Sequence, residues 1–190
     1  MCQRSSAGTG TGGTLSGVSA YLKEVSPSVL TVAADPPGSG VYNRIQYGVM
    51  YNATEAEGTR RRHQVDTVVE GIGLNRLTRN LELGLPFIDA AERVTDDEAV
   101  RMSRWLSTHD GLFLGSSSAV HCVAAVRTAL RLKAQRPSTR PVVVTSLDVY
   151  HRLRSAESGS RHLSKFQNDE AMQARGLNVV ADIADILAPL

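Results

Sequence analysis

Apolar residues recur at helical spacing near the start of the chain: Leu15, Val18, Leu22 and Val25 share one face, Lys23 and Glu24 lie off it, and Pro27 ends the pattern. The β-branched run over 29–34 then reads as a strand. Residues 36–58 are rich in glycine, proline and tyrosine and lack sustained periodicity, which predicts an irregular loop. Residues 65–69 predict a second strand, leading directly into Glu70-Gly71-Ile72-Gly73. Residues 74–83 predict a short helix ended by Gly84 and Pro86. Thr95 with Glu98 forms a capping-box signature, and Ala99, Met102 and Leu106 make the buried face of the helix it opens. Gly111 closes that helix, 112–114 predicts a short strand, and Ala119, Cys122, Val123, Val126 and Leu130 define another amphipathic helix. The run over 141–145 is the last strong strand, and 183–187 a final short helix. Strands alternating with helices predict an α/β fold with a parallel sheet.

Against this pattern one stretch stands out by its chemistry. Gly8-Thr9-Gly10-Thr11-Gly12-Gly13-Thr14 abuts the first helix with no spacer, which argues against a flexible linker. Glycines permit positive φ and remove Cβ atoms, so successive N–H groups can converge on one point. The helix adds unpaired N–H groups and the positive end of its dipole at that point. An anion belongs there, most often a phosphate. The hydroxyls of Thr11 and Thr14 can donate to it as well.

The carrier of the phosphate is open at this level. Gly8, Gly10 and Gly13 satisfy G-x-G-x-x-G, and Asp35 closes the next strand where a dinucleotide fold places its ribose-binding carboxylate. However, Met1-Cys2-Gln3-Arg4 is short and polar, leaving the loop without its preceding strand, and Pro36-Pro37 follow Asp35 at once.

The totals narrow the classes. With 190 residues, 42% apolar and 5% aromatic, the chain suits one α/β core and is short for two domains. A net charge of +2 without a basic, aromatic-interleaved stripe speaks against nucleic acid. Arg60-Arg61-Arg62-His63 reads as a solvated loop. No apolar run approaches the ~20 residues of a membrane span. Cys2 and Cys122 provide no disulfide framework, which predicts a reducing compartment, and Cys122 is expected to pack on the apolar face of its helix. His63, His109, His121, His151 and His162 show no metal-ligand spacing.

Four ordered motifs, GTGTGGTLSGVSAYLKE, EGIGLNRLT, DDEAVRMSRWLSTHDGLFLGSSSAVHCVAAVRTA and ESGSRHLSKF, together resemble the carboxyl half of the cysteine synthase family, pyridoxal-phosphate enzymes of fold type II related to cystathionine β-synthase and threonine dehydratase. The resemblance spans nearly the whole chain. It implies a three-layer αβα fold, here incomplete because the amino-terminal half is lacking, with 1–190 as a single partial domain and 146–157 as an atypical insertion. It implies pyridoxal 5′-phosphate as cofactor, with Gly10, Thr11, Gly12, Gly13 and Thr14 as the phosphate cradle, Gly71 beside the pyridine ring and Ser158 on the ring nitrogen. It implies cysteine formation from an activated serine and sulfide, in a homodimer of cytoplasmic or mitochondrial location. A serine or threonine dehydratase, a cystathionine β-synthase-like enzyme, a nicotinamide-dependent dehydrogenase and a non-enzymatic interaction fragment are the alternatives.

The family's Schiff-base lysine, its ring-hydroxyl asparagine and its substrate-carboxylate loop lie in the amino-terminal half and have no counterpart here. Lys23, Lys133 and Lys165 fall at other positions and read as surface residues. No catalytic residue is therefore assigned, and the chain by itself is expected to be inactive.

Overall fold

The computed structural model describes residues 4–51, 67–138, 143–145, 174, 176 and 182–187. Arg4–Gly8 forms strand β1, so the loop does have a strand before it, contrary to the sequence expectation. Its polarity is misleading because β1 lies inside the sheet. It pairs in parallel with β2 (Leu30–Asp35) on one side and with β4 (Val143–Thr145) on the other, in register Ala7 with Ala33 and Ser5 with Val144. A strand bonded on both sides satisfies its backbone whatever its side chains. Ser5 and Ser6 are accordingly buried.

β3 (Ala90–Arg93) pairs in parallel with β2 and completes the order β3-β2-β1-β4. Side chains alternate across this sheet. Ala7, Ala33 and Ala91 form one row, packed in a cluster with Leu15 of α1 (Gly13–Val25), Val41 of α2 (Val41–Tyr47) and Leu81 of α3 (Arg79–Gly84). Ala34 faces the other way, against Ala99, Val100 and Met102 of α4 (Asp96–His109) and Val120, Val123 and Ala124 of α5 (Ser116–Gln135). Two apolar clusters on opposite faces of one parallel sheet make the three-layer αβα arrangement. Small side chains in the rows let the helices approach closely.

Helix α4 begins as its sequence dictates, with Thr95 and Glu98 forming a reciprocal capping box. Three other expectations are corrected. Residues 67–69 are not a strand: Val68 N donates to Asp96 Oδ2 at 3.1 Å and the Thr67 hydroxyl donates to Oδ1, so the α4 amino end replaces a ladder. Of 112–114 only Leu114 makes a bridge, because Leu112 N turns back to Leu106 O at 2.9 Å. The helix expected over 74–83 starts only after Thr78, whose hydroxyl accepts from Leu81 N, while Leu74 is held in a loop by Ser39 and Gly40.

Helix α2 falls within the stretch expected to be irregular. Its cap comes from a distance: Asp35 Oδ2 accepts from Tyr42 N at 2.7 Å across Pro36-Pro37. The expected final helix is a short 3-10 turn, Ile183–Asp185. The insertion at 146–157, Arg60-Arg61-Arg62-His63 and Cys2 lie outside the described residues.

Candidate functional site

The loop after β1 runs straight into α1 and is shaped by glycine at each step. Gly12 serves as the N-cap of α1 at φ +88, in the left-handed region, with no side-chain cap. No acidic residue occupies the first turn. The first helical bond at this end is Ser16 N to Gly12 O at 2.9 Å, so the N–H groups of Gly13, Thr14 and Leu15 precede it. Thr11, Gly13 and Thr14 are exposed. An uncapped amino end with exposed hydroxyls and no carboxylate favours an anion.

Neighbouring segments fix the loop on three sides. Gly73 N donates to Thr9 O at 2.8 Å, and a Cβ on Gly10 would lie 2.7 Å from the Gly71 carbonyl oxygen. Thr78 Oγ1 donates to Thr11 O at 2.7 Å, and Ser16 Oγ donates to Asn80 O at 2.7 Å. A Cβ on Gly12 would lie 2.9 Å from Leu81 N. From the third side, His121 of α5 brings Nε2 to 2.7 Å of Gly8 N and accepts its hydrogen bond. The loop therefore has no room for side chains at Gly8, Gly10 or Gly12.

The 70–73 turn stands beside the loop. Gly71 has φ +78 and Gly73 φ +97, so both occupy the left-handed region. A Cβ on Gly71 would meet nothing within 4 Å, which leaves open space in front of it. Glu70 N donates to Ser116 Oγ at 3.2 Å, joining the amino end of α5 to the same turn. The structure thus brings Gly10, Thr11, Gly12, Gly13, Thr14 and Gly71 together. Ser158 and Lys165 lie outside the described residues.

Asp35 does not serve a ribose. It is fully buried, its carboxylate caps α2, and burial outweighs its bonds to Ser39 and Tyr42 and the Arg93 charge, raising its pKa to about 6. The dinucleotide reading loses its acid. Lys23 ends α1 away from the loop, bonded to Val29 O at 2.8 Å and paired with Asp89, and Lys133 is exposed in the last turn of α5. Cys122 is partly buried, and burial pushes its thiol up to about 11, as suits a packed and unreactive side chain.

Sequence reasoning missed His121, Thr78, Asn80 and Leu81. Gly8 carried the one available signal, since a glycine ending a strand asks what approaches it. His121 is the answer.

Residues 6–147 match the family described as "Pyridoxal-phosphate dependent enzyme". Cysteine synthase 2 of Schizosaccharomyces pombe is 53% identical over 181 residues, covering 95% of this chain and 42% of that protein. Cysteine synthase 2 of Emericella nidulans is 56% identical over 160 residues, covering 84% of this chain and 34% of that protein. A putative mitochondrial cysteine synthase of Saccharomyces cerevisiae is 53% identical over 161 residues, with 84% and 38% covered. The crystal structure of an O-acetylserine dependent cystathionine beta-synthase from Helicobacter pylori superposes with a TM-score of 0.59 at 32% identity, over 81% of this chain and 42% of that one. The chain spans about two-fifths of the length of these relatives.

Proposed function

Because this chain belongs to the pyridoxal-phosphate dependent enzyme family, we propose that its glycine loop holds the phosphate of pyridoxal 5′-phosphate and that the whole protein makes cysteine, exchanging the activated hydroxyl of a serine derivative for sulfide. One observation carries the cofactor assignment: α1 opens uncapped and without an acid at a loop whose Gly10 and Gly12 have no space for a Cβ. Such a loop fits an anion, and in this family a phosphate.

Each residue then has a task. The amides at the start of α1 and the hydroxyls of Thr11 and Thr14 bind the phosphate. Gly71 keeps open the space in which the pyridine ring would lie, and Ser158 would meet the ring nitrogen with a neutral hydroxyl. The cofactor supplies an electron sink, which a neutral partner leaves mild and suited to elimination and replacement at the β-carbon. Ser116 and Thr9 hold the 70–73 turn in place against the loop.

None of the residues described here is assigned as the reactive amine. Lys23 and Lys133 stand in the last turns of α1 and α5. We assign residues 1–190 to one partial, cofactor-phosphate-binding domain, with the reactive lysine and the substrate-carboxylate loop supplied by other sequence of the whole protein. Its location is cytoplasmic or mitochondrial, in keeping with the Saccharomyces cerevisiae relative, and its assembly is the homodimer that the family resemblance implies.

The test is the absorption spectrum of the 190-residue chain with pyridoxal 5′-phosphate, taken before and after borohydride. Binding without a visible band that reduction fixes is the expected result. A band fixed by borohydride would place a reactive lysine in this chain, and cofactor-dependent turnover by the chain alone would overturn its assignment as a partial unit.

A further inference from the structure

The cradle is also bordered by a polar side chain of the α3 segment. The α3 segment is pressed onto the loop along its length. Thr78 bonds Thr11, Leu81 abuts Gly12, and the Asn80 carbonyl accepts from Ser16. A Cβ on Gly84 would overlap Ser16 of α1, so α3 and the first turns of α1 are packed as one body. Within this body the side-chain amide of Asn80 turns toward the loop, and its Nδ2 lies 3.6 Å from the position of a Cβ on Gly13. Asn80 is exposed, and among the described residues its amide makes no hydrogen bond.

We propose that Asn80 is a further phosphate ligand of the cradle, its Nδ2 donating to a cofactor phosphate oxygen from the α3 side. This rests on the assignment of the loop to pyridoxal 5′-phosphate. On this account the exposed space beside Gly13 belongs to the phosphate, bordered by Asn80. The main chain at Asn80 is fixed by Ser16, and the neighbouring Thr78 and Leu81 are fixed by the loop itself. The backbone that carries the amide is therefore fixed before any anion arrives, which lowers the cost of binding. An amide is also a suitable donor at this place, since its nitrogen can donate to the anion while its oxygen turns outward.

The test compares pyridoxal 5′-phosphate with pyridoxal, which lacks the phosphate, on the full-length protein freed of cofactor, using Asn80→Ala and Asn80→Asp. A hydrogen bond to a charged oxygen is lost in the alanine variant, so affinity for pyridoxal 5′-phosphate is expected to fall roughly tenfold while affinity for pyridoxal is unchanged. The aspartate variant sets a carboxylate against the phosphate and is expected to fall further. The phosphorus resonance of the bound cofactor should shift in both. Unchanged affinity and resonance in both variants, with the parent still preferring the phosphorylated form, would overturn the role of Asn80. Equal loss for both ligands would also overturn it, by showing a structural effect. A parent protein with no preference for the phosphorylated form would instead overturn the cradle itself.

Discussion

Gly8 and His121 are fitted to each other: the imidazole Nε2 accepts from Gly8 N at 2.7 Å, and any methyl group on Gly8 would overlap the ring. The pair ties the end of β1 to α5 just where the chain enters the loop. His121→Ala leaves a part-buried donor without its partner and is expected to cost about 1 kcal/mol. Gly8→Ala forces the ring aside at about 1–3 kcal/mol. In the double variant the overlap is gone, so the two costs should fall short of additivity in urea unfolding. Simple additivity would show that the two sites are independent.

Glycines within a few residues of one another should respond in opposite directions. Gly17 lies inside α1, exposed, with open space where its Cβ would be. Gly17→Ala should raise stability by about 0.5–1 kcal/mol through helix propensity. Gly12→Ala meets both a left-handed φ of +88 and Leu81, and should lower stability and phosphate affinity together. Thermal melts of the two variants read both signs.

Asp35 makes stability depend on pH. Its folded pKa of about 6 exceeds the ordinary value of 3.8, so between these values the folded chain holds a proton that the unfolded chain has released. Stability from this group is present at low pH and lost as pH rises through about 6, by about 3 kcal/mol in all. Asp35→Asn keeps an acceptor for Tyr42 N without the titration. Relative to the parent, the variant should gain stability from about pH 4 to about pH 7. Parallel stability profiles would refute this origin of the slope.

The Arg127–Glu98 ion pair joins α5 to α4 with side chains only 8% and 4% exposed. Arg127 also donates to the Arg93 carbonyl at the end of β3. Removing Arg127 alone strands a buried carboxylate and should cost about 3–5 kcal/mol. Arg127→Met combined with Glu98→Gln should cost less than Arg127→Met alone. Chemical denaturation of both variants decides the order.

The legible parts of this fold are those whose cause lies nearby in sequence. The 95–98 capping box, the presence of α1 and the glycine loop each follow from residues within one or two turns, although of the expected apolar face of α1 only Leu15 is buried, beside Ser19, while Val18 and Val25 are exposed. β1, β3 and α2 do not. Ser5 and Ser6 enter a strand because β2 and β4 flank it, and Glu92 enters β3 because Arg131 of α5 meets it as an ion pair while burial raises its pKa. The α2 helix needs Asp35, which local reading had offered to a ribose. In the site, the glycines were legible and their constraints were not: His121, Leu81 and the Gly71 carbonyl come from distant segments. The valines at 65–69 misled for the converse reason, since Val69 is buried by packing against the α4 and α5 side of the sheet.

The parallel ladder between β1 and β4 joins Arg4 to Val143 and Ser6 to Thr145. On a ribosome those partners emerge far apart in time, and the nascent chain holds one flank of β1 uncovered until the later one appears. β1, α1 and β2 emerge first, whereas Gly73, Thr78, Leu81 and His121, which brace the glycine loop, follow them. Long-range parallel pairing of this kind folds slowly and leaves a sticky border meanwhile.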